Sequence, residues 1–367
     1  MQTIPTLIPQ RNSNMEFLRV YAMLTIVFLH MCNKTMAIYE LNESQPMYYI
    51  MWFLFIFCSW TTNILTFISG YFYSETHFKL HKLLSLWVQV LFYSIVFAII
   101  AKYILNIELT SRWRNIFQPV LRREYWYITI YIAFYCLIPF IKRYINMLSQ
   151  HEYKAFLVIL FIGLSLIPTL FNASGWLAEG GNGGIVWFFF LYLLGAYIRK
   201  YNISPPSRPL LFYLFLSLIM ALGQFFQNYL DNHQIIIEHF PKNLSAPCSV
   251  FAVGTTILIF YLFKKIDISI PLVNKSINFL GKGCLGIYLI HNNKNISHWI
   301  WETLQINHFM VEKQNLFMII FSLFLVFLIC NLIEHIRDYS FKIFGINLLI
   351  NKISELLTDF YNKQHII

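Results

Sequence analysis

Apolar runs of roughly the length that crosses a bilayer as an α-helix, about 17 to 25 residues, recur ten times along this chain. They lie near residues 16–33, 47–73, 83–105, 124–141, 155–172, 185–200, 210–229, 247–263, 277–291 and 315–334. Such a pattern leaves little choice of fold: an all-α, polytopic integral membrane protein of about ten transmembrane helices is expected. Residue content agrees, because only 12% of the 367 residues are charged, about half the share usual in a soluble domain. The sixth and ninth runs are the shortest. An extension of the ninth through residues 292–302 is expected, where Trp299 and Trp301 suit the aromatic belt at a membrane interface.

The formal charge of +10 does not indicate nucleic acid, because the lysines and arginines lie in short clusters between apolar runs, as membrane topology requires. With a cytoplasmic N-terminus, 17 of the 27 basic residues fall inside and nine outside, Arg19 being set apart within a run. Both termini are therefore expected in the cytoplasm of a cell whose inner or plasma membrane holds the chain. Residues 102–123 break this pattern, with Lys102, Arg112, Arg114, Arg122 and Arg123 outside. That conflict marks either a functional loop or a longer loop on which positive charge is tolerated. The six cysteines have no paired spacing and read as small buried hydrophobes, not disulfides or metal ligands. No cleavable signal is evident. The expected organisation is a cytoplasmic tail over residues 1–14, a membrane domain over 15–335, and a cytoplasmic amphipathic tail over 336–367, with no appended soluble domain and no inverted repeat. Residues 173–184 are expected to form a glycine-rich external loop, and 204–209 a stiff proline-containing connector.

The first run carries two ionisable residues, Arg19 and His30, eleven positions apart. Eleven helical steps of ~100° give three turns plus ~20°, over a rise of ~16 Å, so both share one face. Each is costly in hydrocarbon, and together they form a functional hypothesis. His30 suits a general base that takes a proton from a hydroxyl and returns it to a thiolate; it could also be an interfacial histidine bonded to a neighbour. Arg19 suits an anionic phosphate held by paired N–H donors, or a guanidinium that snorkels to the inner boundary. Glu16, Glu124 and Glu334 stand at run ends, where solvated carboxylates are ordinary.

The spacing of Arg19 and His30 in the first span resembles the signature of the acyltransferase family 3 membrane proteins, which move acyl groups, often acetyl, to sugar hydroxyls. Further segments follow in the family's order. Ser69-Gly70-Tyr71-Phe72 is similar to the segment closing its second helix. Lys79 and Lys82 stand where members often carry two arginines. Tyr125-Trp126-Tyr127 with Pro139 resembles its tryptophan-led fourth helix, FLYLLGAYIRK its mid-chain helix ending in a basic pair, and Gly286-Ile287-Tyr288-Leu289-Ile290-His291 its late Tyr-Leu-x-His segment. The resemblance spans residues 12–335. It implies that His30 is the catalytic histidine, that Arg19 places the donor, and that Lys79 and Lys82 assist it with charge but without the planar fork. Ser69, Gly70, Trp126, Tyr288 and His291 are acceptor-site or structural candidates, Trp126 being equally an interface-belt residue.

The expected activity is transfer of an acyl group, acetyl in the first instance, from cytoplasmic acyl-CoA to a hydroxyl of a cell-surface or lipid-linked polysaccharide. The partners are then membrane lipid, the glycan or lipid-linked saccharide acceptor and, if transfer is not finished within the membrane, a separate extracytoplasmic acyl-acceptor protein. Neither a metal nor nucleic acid is expected. Two alternatives involve no acyl chemistry: a polysaccharide exporter or flippase, and a glycan polymerase that uses the basic segment 102–123.

Overall fold

The structure is a computed structural model, and it describes residues 13–73, 78–171, 184–235, 237 and 244–364. Residues 1–12 of the expected tail 1–14, with Arg11, most of the glycine-rich loop and Lys242 lie outside the described residues. All regular structure among these residues is helical. In chain order the α-helices are α1 (Ser13–Thr35), α2 (Pro46–Cys58), α3 (Thr62–Tyr71), α4 (Leu80–Ile99), α5 (Trp113–Phe117), α6 (Trp126–Met147), α7 (Gln150–Phe161), α8 (Ile167–Phe171), α9 (Ile185–Lys200), α10 (Pro209–Asn232), α11 (Val250–Lys264), α12 (Pro271–His291), α13 (Ser297–Thr303), α14 (Leu316–Ile343) and α15 (Ile346–Gln364). Short π-helical turns extend α4 and join α7 to α8.

Local chemistry explains many of these boundaries. Proline opens α2, α10 and α12, where its missing N–H costs nothing and its fixed φ already suits a helix. A capping box of Ser149 and Glu152 starts α7 earlier than the apolar run itself. The second run is broken into α2 and α3 at Ser59–Trp60–Thr61, where the Thr61 hydroxyl donates to the Cys58 carbonyl at 2.7 Å; such side-chain bonds compete with the helical ladder. Pro139 does not end its helix, because α6 continues to Met147. The last carbonyls of α6 receive Lys200 Nζ, at 2.6 Å from Ile145 O and 3.2 Å from Leu148 O.

Among the described residues, seven helical segments are long and apolar enough to cross a membrane: α1, α2–α3, α4 with its π turn, α6, α7–α8, α10 and α14. Of the ten expected spans, α9 and α11 fall short at 16 and 15 residues. The third, α12, has the length but holds Lys275, Asn278, Lys282 and glycines, which lower its apolarity. Each is packed closely on a neighbour that belongs to a longer helical segment: α9 on α3 of the α2–α3 segment, α11 on α10, and α12 on both α1 and α14.

At the centre stands α1, which touches α2, α3 and α11 to α14. Of its most apolar stretch 67% is buried inside the protein, against 28% for α10, whose Leu211, Phe215, Leu218 and Leu222 are exposed as lipid contact demands. Where α3 crosses α9, Gly70 faces the Tyr192 carbonyl and Gly195 faces the Phe67 carbonyl, each so near that a Cβ would collide. Small residues that let backbones meet are the usual means of joining helices in lipid. At the far end α15 is amphipathic, with Ile350 buried and Leu348, Leu349, Leu356 and Leu357 exposed.

Candidate active site

Arg19 leaves α1 beside Glu16, one turn earlier, and Nη1 donates to Glu16 Oε1 at 2.5 Å. Glu16 is buried, and Gly281 of α12 leaves the room its carboxylate occupies. The Arg19 side chain is 37% exposed and lines a cavity of about 390 Å³. Ser69, Lys82, Tyr131, Tyr135 and Tyr192 line the same cavity. Two cations on the wall of a partly enclosed space suit an anionic, phosphate-bearing ligand.

His30 stands on the same face of α1, further along, and meets α12. Its Nδ1 lies 2.9 Å from Nε2 of His291, whose Nδ1 lies 2.5 Å from the Ile287 carbonyl oxygen. A carbonyl only accepts, so His291 Nδ1 carries the proton. In a neutral imidazole the other nitrogen is then a bare lone pair. His291 Nε2 therefore accepts from His30 Nδ1–H, and His30 Nε2 is left as a lone pair with no proton of its own. His291 is fully buried while His30 is only partly so. The carbonyl–His291–His30 chain thus fixes one tautomer of the more accessible ring and holds its orientation, as second partners do for functional histidines.

The 390 Å³ cavity does not include His30. The space between is spanned by aromatic rings. Tyr135, Tyr131 and Tyr127, at successive four-residue steps on α6, stack with centroids 6.3 and 6.4 Å apart. Tyr127 meets Tyr288 at 6.2 Å, and Tyr288 meets His30 at 6.0 Å. Tyr125 closes the group, 6.1 Å from Tyr288, and its hydroxyl donates to the Leu289 carbonyl while accepting from Asn293. This ladder went unnoticed in the sequence, although the spacing in YITIYIAFY displays it.

The structure thus gathers Arg19, Ser69 and Lys82 at one cavity, and His30, Tyr288 and His291 at a second point along α1. Lys79 is exposed and is not part of the cavity wall; its backbone N–H donates to Tyr135 Oη at 3.0 Å. Gly70 serves the α3–α9 crossing, and the Ser69 hydroxyl bonds the Leu65 carbonyl. Trp126 packs edge-on to Tyr127. Arg112, Arg114, Arg122 and Arg123 are all exposed, and Arg114 lies over the Trp113 ring. Among the described residues no three His, Cys, Asp or Glu side chains converge as metal ligands.

The three glutamates expected in water are buried. Glu124 accepts from Ser111 Oγ at 2.9 Å and Asn115 Nδ2 at 2.5 Å, with Lys294 at 3.4 Å, so it organises the basic segment from within. Glu334 accepts from Gln89 and Tyr93 at 3.0 and 2.7 Å and pairs with Arg337. Gly286 gives Glu334 its space, and Gly283 does the same for Asn331.

No curated protein and no solved structure gives a significant match to the chain. Residues 12–335 match the family model described as an acyltransferase domain, that of acyltransferase family 3. The matched region contains Arg19 and His30, the histidine pair and the cavity, and extends over most of the chain. Taken with helices long and apolar enough for membrane crossing, it identifies the chain as a membrane acyltransferase belonging to acyltransferase family 3.

Proposed function

We propose that the chain moves an acyl group, acetyl in the first instance, from acyl-CoA to a hydroxyl of a surface or lipid-linked saccharide, with His30 as general base. The supporting observation is the carbonyl–His291–His30 chain, which leaves His30 Nε2 unprotonated and aimed away from its partner. Nε2 takes the proton of the acceptor hydroxyl as that oxygen attacks the thioester carbonyl. The C–S bond then breaks, and the imidazolium returns the proton to the departing thiolate. While His30 is charged, its Nδ1–H bond to His291 becomes charge-assisted and stronger, so the pair stabilises the transition state more than the ground state.

The donor's phosphates are assigned to Arg19 and Lys82 in the 390 Å³ cavity, with Lys79 contributing charge nearby. Glu16 keeps the guanidinium oriented without neutralising its exposed edge. The tyrosine ladder offers phenol hydroxyls and ring faces along the ~16 Å of helix between Arg19 and His30, a suitable wall for the pantetheine arm. Positive-inside charge puts the cavity on the cytoplasmic side and His30 toward the outer side of an inner or plasma membrane.

O-acyl content of surface glycan tests the proposal, measured by proton NMR before and after mild alkali in cells lacking the protein. Wild type is expected to restore an alkali-labile acyl signal, and His30→Ala, at equal membrane abundance, to leave it absent. Unchanged acylation in both, with glycan length or surface amount reduced, would replace acyl transfer by polymerisation or export.

A further inference from the structure

Two openings flank the short helix α13, and they differ completely in character. On one side lies a polar pocket of about 760 Å³ that includes Thr35, Trp301, Glu302, Gln305 and Asn307. On the other lies a cleft of about 360 Å³, apolar but for Thr303, formed by α4, α12, α13 and α14 through Phe97, Ile290, Trp299 and Ile329 among others. The polar pocket holds two helix-spaced pairs in its wall, His298 with Glu302 at 2.9 Å and His308 with Glu312 at 2.8 Å. No lysine or arginine is present among its described lining residues, so it suits neutral hydroxyls better than phosphate. Trp301 is fully buried, yet its Nε1–H has no acceptor among the described residues. An indole N–H left so is costly unless something in the pocket accepts it.

Neither opening is lined by His30 or His291, but each has a wall residue on the helix that carries one of them. Thr35 follows His30 on α1 by five residues, a rise of ~7.5 Å, and Ile290 in the cleft directly precedes His291. A polar pocket beside an apolar cleft, with the short helix α13 between, is complementary to an amphiphile. We propose that these openings together bind the acceptor as a neutral glycolipid, its sugar against Trp301, Glu302 and Asn307 and its hydrocarbon anchor in the cleft lined by Phe97, Trp299 and Ile329. The proposal rests on the acyl-transfer function and narrows it: the acceptor is a saccharide carried on a hydrocarbon anchor, not a free polysaccharide.

The full-length protein in phosphatidylcholine nanodiscs is irradiated with hexadecyl glucoside, galactoside or N-acetylglucosaminide that carries a diazirine in the alkyl chain, and the labelled peptides are mapped. Label from at least one glycoside is expected to concentrate on residues 97–105 and 325–333. The unlabelled glycoside should compete at about one-tenth the concentration needed by hexadecanol or the free sugar, because only it fills both openings. Trp301→Phe keeps the ring and removes the N–H, so the competing concentration should rise about five- to tenfold; Glu302→Gln, a second change in the same pocket, should raise it too. Ile329→Trp, eluting as wild type on size exclusion, should remove the label. Label spread over lipid-facing helices without competition from any glycoside, or hexadecanol competing as well as the glycosides, would overturn the proposal. Acetyl transfer from acetyl-CoA to the same glycosides is followed in the same discs. Competed label without transfer leaves the glycolipid site standing and removes the transferase function, whereas acetylation of free sugar without competed label does the reverse.

Discussion

Replacing His291 by phenylalanine keeps a ring of similar size in the core but removes the nitrogen that receives His30 Nδ1–H. The bond lost is 2.9 Å long, and its acceptor is fully buried, so water cannot take its place. Two effects follow: the His30 proton is no longer confined to Nδ1, and the charged ring formed during transfer loses a partner. A hydrogen bond to a charged group contributes about 1.5–3 kcal/mol. If this is realised mainly in the transition state, a loss of about 2–3 kcal/mol lowers kcat by about 30- to 150-fold at 1.36 kcal/mol per decade. The KM for acetyl-CoA should change little, because Arg19 and Lys82 lie elsewhere. His291→Gln can present an acceptor oxygen to the same proton and should recover much of the rate. The assay is thiol release from acetyl-CoA by detergent-purified enzyme with a saccharide acceptor. Because the two rings act as a unit, His30→Ala combined with His291→Phe should be no slower than His30→Ala alone. Wild-type kcat in His291→Phe, or losses that multiply in the double variant, would refute a working histidine pair.

Arg19→Lys retains charge but loses the fork and its hold on Glu16, and should raise the KM for acetyl-CoA by about tenfold with a smaller effect on kcat, as initial rates against donor concentration would reveal. Gly70→Ala inserts a methyl where α3 meets the α9 backbone, and a loss of about 1–3 kcal/mol should lower the detergent-solubilised melting temperature, whereas Ser69→Ala should leave it close to wild type. Arg337→Met strands the buried Glu334 with only Gln89 and Tyr93 as donors, and should destabilise by about 3 kcal/mol or more. Pairing it with Glu334→Met should restore much of that loss, again by thermal unfolding.

The membrane class and the two ionisable residues of α1 could be read directly, because length, apolarity and helical spacing are local properties. His291 was likewise visible as a candidate, though nothing in one sequence says that it reaches His30 across 261 positions. What could not be read was which helices face one another. Glu16 and Glu334 look like ordinary run-end carboxylates until α12 is seen to turn Gly281 and Gly286 toward them. Seven described helical segments reach crossing length and apolarity, against ten apolar runs, for a related reason: apolar content alone does not say whether a run of 15 or 16 residues crosses lipid or is held by neighbours. The break at Ser59–Thr61 is held in part by the bond from the Ser59 hydroxyl to the Ser245 carbonyl, 186 positions away, which no local pattern announces. Lys79 and Lys82 look equivalent in KLHK, yet only the latter reaches the cavity wall.

The packing of α9, α11 and α12 against neighbouring helices bears on how the molecule is made. A segment short or polar for lipid is better accommodated once a neighbouring helix shields its polar groups. For α9 and α11 the shielding helices, α3 and α10, precede them in the chain. For α12 only half of the shield, α1, has been synthesised when it emerges; the other half, α14, follows. His30 is made near the start of synthesis and His291 261 residues later, so the pair cannot form until α12 has been laid against α1.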